Sequence, residues 1–310
     1  MTLPIYFDPK KSLNLFGLSE KFNFLLNLYL KDKLPRVLML SGNKGCGKAT
    51  LINHLLFYIF DNVNYDKKSY SFIDKSYFYN QYDNNIYSNI IYLSGSEFKN
   101  IKIEDIRILK KKLLQSTISK EPRFIIFDDV ELFNNNSLNA LLKVIEEPNT
   151  NNYFILINNK TKPLIETIKS RCLEIKLILS EKKRQFIVGS LIKKFNINPI
   201  INIKSSGLTP GHFIKFNYIF HENNISFDDD FLKNLGILLN LFKKNKDILF
   251  IDMATFLTNN YLNKLSNKKK FSIEKTIEYK KFVFENINRY FVYNLNHNSL
   301  LTNIHNKINE

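Results

Sequence analysis

Apolar and polar positions divide this chain into two kinds of text. Up to about residue 178, short apolar runs alternate with segments of helical period. The runs are Val37–Leu40 (VLML), Ile90–Leu93 (IIYL), Phe124–Phe127 (FIIF) and Tyr153–Ile157 (YFILI), followed by the alternating Leu173–Leu177. Runs without polar alternation read as strands buried on both faces. Between them, helical period is read over Ser19–Leu30, Leu51–Phe60 and Ile101–Leu114, the last with Lys110, Lys111 and Lys112 near its end. Leu138, Leu141, Leu142 and Ile145 recur at i, i+3, i+4 and i+7, and Pro148 forbids continuation of that helix. Strand, helix and strand in close succession form right-handed crossovers, so the pattern predicts a five-stranded parallel sheet with helices on its faces. Such sheets place ligands at the carboxyl ends of their strands.

After about residue 179 the strand-like runs stop. Glu181–Phe195, Pro199–Ser206 and Pro210–Phe220 read as three short helices, and the remainder keeps helical period. Val283, Phe284, Ile287, Tyr290 and Phe291 fall on one stripe, which reads as packing against neighbouring helices or a partner subunit. The expected division is an α/β domain over 1–178, a helical lid over 179–225 and an all-α domain over 226–310. Asp61–Asn89 is polar but carries Tyr65, Tyr70, Tyr77, Tyr79, Tyr82 and Tyr87. It reads as a solvated loop, with stacking on single-stranded bases as the other reading.

Composition sharpens this picture in three places. The 310 residues suit about two domains with a sizeable core. A net charge of +16 suits a polyanion such as DNA. However, the richness in Lys, Asn, Ile, Phe and Tyr, with no Trp, is also what compositional bias in the coding DNA produces. The two cysteines, Cys46 and Cys172, supply neither a disulfide framework nor a four-cysteine zinc site, and the five histidines show no metal-ligand spacing. A reducing, cytoplasmic setting is expected. The opening MTLPIYFDPKK lacks the basic-then-apolar order of a signal peptide, and Asp252 interrupts the best candidate for a membrane span.

The candidate chemistry begins at Ser41-Gly42-Asn43-Lys44-Gly45-Cys46-Gly47-Lys48-Ala49-Thr50, between a strand and a helix. This is a phosphate-binding loop. Gly42, Gly45 and Gly47 let backbone N–H groups turn inward, the helix N-terminus favours anions, and Lys48 reaches the outer phosphates. The hydroxyl that should follow the lysine and ligate Mg²⁺ is missing, because that position is Ala49. Thr50 is one residue late, about 100° around the helix. Asp128 ends the apolar strand and is the candidate for holding Mg²⁺, and Asp129 stands where an active ATPase polarises its attacking water. Either aspartate could instead cap the turn that leaves the strand. Arg171, between Ser170 and Cys172, reads either as a surface ion-pair residue or as an arginine finger, a group worth ~10³ to 10⁵ in rate.

Taken together, Gly42 to Thr50, Asp128 to Glu131, the run Asn139-Ala140-Leu141-Leu142-Lys143-Val144-Ile145-Glu146-Glu147-Pro148 and Thr167-Ile168-Lys169-Ser170-Arg171-Cys172 resemble the bacterial clamp-loader branch of the AAA+ ATPases. The resemblance extends over about residues 12–220. It implies an AAA+ P-loop core, a three-helix lid and a C-terminal collar through which five subunits assemble. The implied partners are the motor subunits gamma and tau, the delta subunit, the sliding clamp and primer-template DNA, with no membrane. The motors carry four zinc-binding cysteines between the P-loop helix and the next strand, and Asp61–Asn89 has none. Their lid carries a nucleotide-sensing arginine, where Gly207-Leu208-Thr209-Pro210-Gly211-His212 offers His212. With Ala49 and Asp129, these departures imply a member of the ring that looks like a motor but holds ATP and Mg²⁺ weakly or not at all. In that branch the Ser-Arg-Cys arginine acts in trans, which would make Arg171 catalytic in a neighbour's site. Asn158 or Asn159 fills the sensor place after the fourth strand. The rival expectation is an autonomous motor using Lys48, Thr50 and Asp129; a third is a stand-alone nucleic-acid-binding protein.

Overall fold

The structure, a computed structural model, describes residues 4, 7–95, 103–114, 121–146, 148, 151–293 and 296–309. The described residues form two compact units, one running to 197 and resuming over 202–215, the other comprising 198–201 and the chain from 216 onward.

In the first unit the chain runs through α1 (Ser19–Leu30), β1 (Val37–Ser41), α2 (Lys48–Phe60), a small hairpin of β2 (Tyr65–Asp66) and β3 (Ser71–Phe72), α3 (Tyr77–Asp83), β4 (Ile90–Ser94) and α4 (Ile103–Leu114). It continues through β5 (Arg123–Asp128), α5 (Asn135–Ile145), β6 (Asn152–Asn158), α6 (Glu166–Lys169), β7 (Leu173–Lys176) and α7 (Glu181–Phe195). Ile101, the expected start of α4, and Glu147 lie outside the described residues. The four apolar runs and the alternating fifth segment form one parallel sheet in the order β4-β5-β6-β1-β7. Strand residues point alternately to its two faces. Leu38, Leu40, Phe124, Ile126, Ile155 and Ile157 pack with α1 and α2. Val37, Met39, Ile125, Phe127, Phe154 and Leu156 pack with Ile106 and Leu109 of α4 and Leu138 and Leu141 of α5. Residues of both parities are therefore buried, which is why the runs show no polar alternation.

The tyrosine-rich segment is not the solvated loop that its polar composition suggests. Tyr65, Phe72, Phe78, Tyr79 and Tyr82 are buried. Phe72 stacks on Phe57 of α2 at 4.2 Å between ring centroids, and Phe78 meets Phe57 edge-on at 5.2 Å. The Tyr82 hydroxyl donates to Asn53 Oδ1. Aromatic payload offsets the polar composition, so β2, β3 and α3 form a satellite of the core. Its buried rings have no face free for a base.

The segment read as a helix over Pro199–Ser206 is instead a run of turns. Asn202 Oδ1 accepts from the N–H groups of Lys204 and Ser205, a side-chain competitor to helix bonding. Helix α8 (Pro210–Glu222) crosses the division between the units. In the second unit, α9 (Phe231–Asn245), α10 (Leu249–Asn267), α11 (Ile273–Tyr293) and α12 (His297–Asn309) follow, with α10 packing on α9 and α11, and α12 on α9 and α11. Val283, Ile287 and Tyr290 of the expected stripe are buried, whereas Phe291 is 40% exposed. Among the described residues no helix is long and apolar enough to cross a membrane, and no group of His, Cys, Asp or Glu could hold a metal ion.

Candidate functional site

The phosphate loop leaves β1 at its carboxyl end and enters α2 at Lys48. Gly47 precedes the helix at φ 95° and Gly45 sits at φ 81°, left-handed conformations that disfavour side chains. The loop's outer carbonyls are taken by the segment that opens α8. Gly211 N–H donates to Gly45 O at 2.8 Å, and the Thr209 hydroxyl donates to Lys44 O at 2.7 Å. That segment is held in turn by buried Arg184 of α7, whose guanidinium donates to Leu208 O at 3.0 Å and Ile203 O at 2.6 Å. The inner carbonyls are taken by Lys48, which is buried and donates to Gly42 O at 2.6 Å and Asn43 O at 2.9 Å. Burial lowers the Lys48 pKa, against the opposing pull of Cys46, Asp128 and Glu131.

The two carboxylates sit at the end of β5. Asp128 accepts from the Tyr92 hydroxyl and from Asp129 N–H at 2.8 Å; burial first, then Asp129, raises its pKa. Asp129 is buried in a left-handed conformation at φ 48° and makes no side-chain cap to the 3-10 turn that follows, so the capping reading does not hold for it. Its Oδ1 instead accepts from Asn159 Nδ2 at 2.7 Å and lies 3.5 Å from Lys44 Nζ. Asn159 also donates to Asp128 Oδ1 at 3.3 Å. Of the two candidate asparagines, Asn159 is thus the one brought to the carboxylates, while Asn158 Oδ1 turns to Lys160 N–H at 2.9 Å. Glu131, which sequence reasoning left without a role, fixes this arrangement: its carboxylate accepts from Asn159 N–H, Thr161 N–H and the Thr161 hydroxyl.

For a magnesium nucleotide the donor set is incomplete. Ala49 brings no hydroxyl and packs against the core, and Thr50 lies half-buried one position on. Burial, with Lys44, Lys215 and Lys48 nearby, lowers the pKa of His212 to about 4, so at neutral pH it carries no charge to set against a phosphate.

Arg171 lies elsewhere. Parallel pairing puts Leu173 of β7 beside Leu38 and Lys176 beside Ser41. Arg171 precedes the near end of β7, whereas the phosphate loop leaves the far end of β1. At ~3.3 Å per residue the two are on the order of 15–20 Å apart along the strands, beyond the reach of one side chain. The Arg171 side chain is 38% exposed. Nε donates to Glu146 Oε1 at 3.0 Å, Nη2 lies 2.8 Å from the same oxygen, and Nη1 donates to Thr167 O at 3.0 Å. Its neighbours anchor the turn: the Ser170 hydroxyl donates to Thr167 O, and the Cys172 thiol, its pKa pushed up to about 12 by burial, donates to Ile168 O at 3.1 Å. The Glu146 contact joins the two motif runs, though their sequence separation hides it.

Comparison with known proteins agrees with the motif reading. The family model described as DNA polymerase III, delta subunit, matches residues 17–180. DNA polymerase III subunit delta' of Buchnera aphidicola subsp. Baizongia pistaciae is 29% identical over 174 residues, covering 51% of this chain and 50% of the relative. DNA polymerase III subunit gamma of Buchnera aphidicola subsp. Schizaphis graminum is 34% identical over 94 residues, covering 30% and 26%. The matched region thus spans about half the length of the first relative and a quarter of the second. Among solved structures, a DNA polymerase III gamma subunit-related protein from Thermotoga maritima has a TM-score of 0.45 and 19% identity, with 91% of this chain and 96% of that chain covered.

Proposed function

The chain belongs to the DNA polymerase III delta-subunit family, and from that premise we propose that it works in the clamp loader of that polymerase as the delta-prime subunit, donating Arg171 to the ATP site of an adjacent motor subunit. The observation that carries the reading is the position of Arg171, exposed at the end of the sheet opposite its own phosphate loop. A guanidinium placed there can meet a phosphoryl group only on another chain. In this proposal the collar helices of the second unit join gamma or tau and delta subunits in the ring, which opens the sliding clamp on primer-template DNA.

The chain's own phosphate loop is silent on this reading. Lys48 is spent on loop carbonyls, Ala49 offers Mg²⁺ nothing, and Asp129 is engaged by Asn159 and Lys44. The test has two arms. Arg171→Ala should leave assembly of the reconstituted complex intact and lower its ATP turnover by about a thousandfold or more at the site served; unchanged turnover removes the finger. ATP turnover by the isolated chain, abolished by Lys48→Ala, would replace the proposal with an autonomous gamma-like motor.

A further inference from the structure

The guanidinium of Arg171 has five N–H groups. Nε donates to Glu146 Oε1 and Nη1 to Thr167 O, while Nη2 forms the ion pair with the same Glu146 oxygen. Nη1 and Nη2 each keep at least one N–H, donors suited to a phosphate or carboxylate. An exposed arginine ordinarily samples many rotamers, and a finger must be held where the charge develops. Here Nε is pinned by Glu146 and Nη1 by a carbonyl in the last turn of α6.

Stability does not account for this carboxylate. An exposed ion pair contributes little to folding, and both partners are exposed, at 45% for the Glu146 side chain and 38% for Arg171. Glu146 is moreover the C-cap of α5, where the helix dipole disfavours a negative charge. We propose that Glu146 is a positioning residue for Arg171, fixing the Nε/Nη2 side so that the remaining Nη N–H groups face the phosphoryl group of the adjacent subunit. The inference rests on the trans-arginine reading and adds a second residue to it, one that touches neither nucleotide nor metal.

The test is ATP turnover of the complex reconstituted with motor and delta subunits, clamp and primed DNA, using Glu146→Ala, Glu146→Gln, Arg171→Ala and the double variant Glu146→Ala/Arg171→Ala. Loss of positioning should lower kcat about three- to fivefold in Glu146→Ala, the size of a fixed ion pair, with KM for ATP unchanged. Glu146→Gln keeps an acceptor oxygen for the guanidinium and should recover most of the loss. The double variant should be no slower than Arg171→Ala alone. If Arg171→Ala is slow while Glu146→Ala equals the unaltered chain, or if the two losses multiply, the positioning role is wrong and the trans arginine stands. If Arg171→Ala itself is without effect, both fall.

Discussion

Gly211 N–H donates to Gly45 O at 2.8 Å, which lays the start of α8 backbone to backbone on the phosphate loop. Neither position tolerates a side chain: a Cβ on Gly211 would meet Gly45 Cα at 2.9 Å, and one on Gly45 would meet the Thr209 hydroxyl at 2.6 Å. The loop carbonyls are therefore committed within the chain, by the same contact that fixes the lid segment.

That closeness sets a contrast between two glycines. Gly211→Ala should destabilise the P-loop unit by about 1–3 kcal/mol through overpacking against backbone. Gly189, inside α7, has nothing within 4 Å of a built Cβ. Gly189→Ala should stabilise by about 0.5–1 kcal/mol through helix propensity alone. Urea denaturation of the two variants checks both signs, and equal effects would refute the contact.

His54 makes stability depend on pH. It is fully buried; Ser12 O can only accept, so Nε2 carries the proton at 2.9 Å, and Nδ1 accepts from the Tyr65 hydroxyl at 3.1 Å. Burial first, with Lys194 adding to it and the Ser12 carbonyl opposing, lowers its pKa from 6.5 to about 4. Between those values the unfolded chain binds a proton that the folded chain does not, so stability rises with pH across the window and falls on acidification. The loss from pH 7 to pH 4 should be roughly 3 kcal/mol from this group, and His212 adds to it in the same direction. His54→Gln, which cannot titrate, should flatten the profile measured by urea denaturation at stepped pH; an unchanged slope would assign the dependence elsewhere.

The parts legible in the sequence were those written in contiguous residues. All five strand-like segments became strands; in β1, β5 and β6 burial on both faces leaves no room for polar alternation, whereas β7 alternates and is largely exposed, and the glycines of 42–47 became the loop because only they suit its backbone. What stayed hidden depends on contacts between distant segments. The burial of Tyr65 and Tyr79 depends on Phe57 beside them and that of Tyr82 on Phe78 and Asn53, and nothing local distinguishes those tyrosines from solvated ones. Asn158 and Asn159 are the same residue type in adjacent positions, and strand pleat together with Glu131 decides which one faces the carboxylates. The helix at 199–206 failed because Asn202 bonds its own turn, an option that helical periodicity cannot register.

The aromatic satellite predicts a second contrast. Phe72 is 6% exposed and stacked on Phe57, so Phe72→Ala should cost about 3–5 kcal/mol. Tyr77, in the same segment, is 79% exposed, and Tyr77→Ala should stay within about 0.5 kcal/mol. Deleting residues 65–85 should accordingly unfold the unit rather than trim a loop, as circular dichroism melting would report. A deletion variant that melts like the intact chain would return the segment to the surface.

Glu131 holds Asn159 without touching the aspartates. Oε1 and Oε2 each accept from Asn159 N–H at 3.1 Å, and Oε1 also accepts from Thr161 N–H at 3.2 Å and the Thr161 hydroxyl at 2.8 Å. Every group facing this buried carboxylate is a donor. Glu131→Gln preserves shape but must place an amide NH₂ where one oxygen accepts, setting donor against donor, so it should cost about 1–3 kcal/mol despite being isosteric. The damage should reach the aspartates through the backbone, because Asn159 Nδ2 meets Asp128 and Asp129 only while its own N–H is pinned. Amide hydrogen exchange at Asn159 and Thr161 should quicken in Glu131→Gln more than at Leu156 in the middle of β6. Uniform exchange across β6, or unchanged stability, would mean that the carboxylate is only one acceptor among replaceable ones and that the turn holds Asn159 without it.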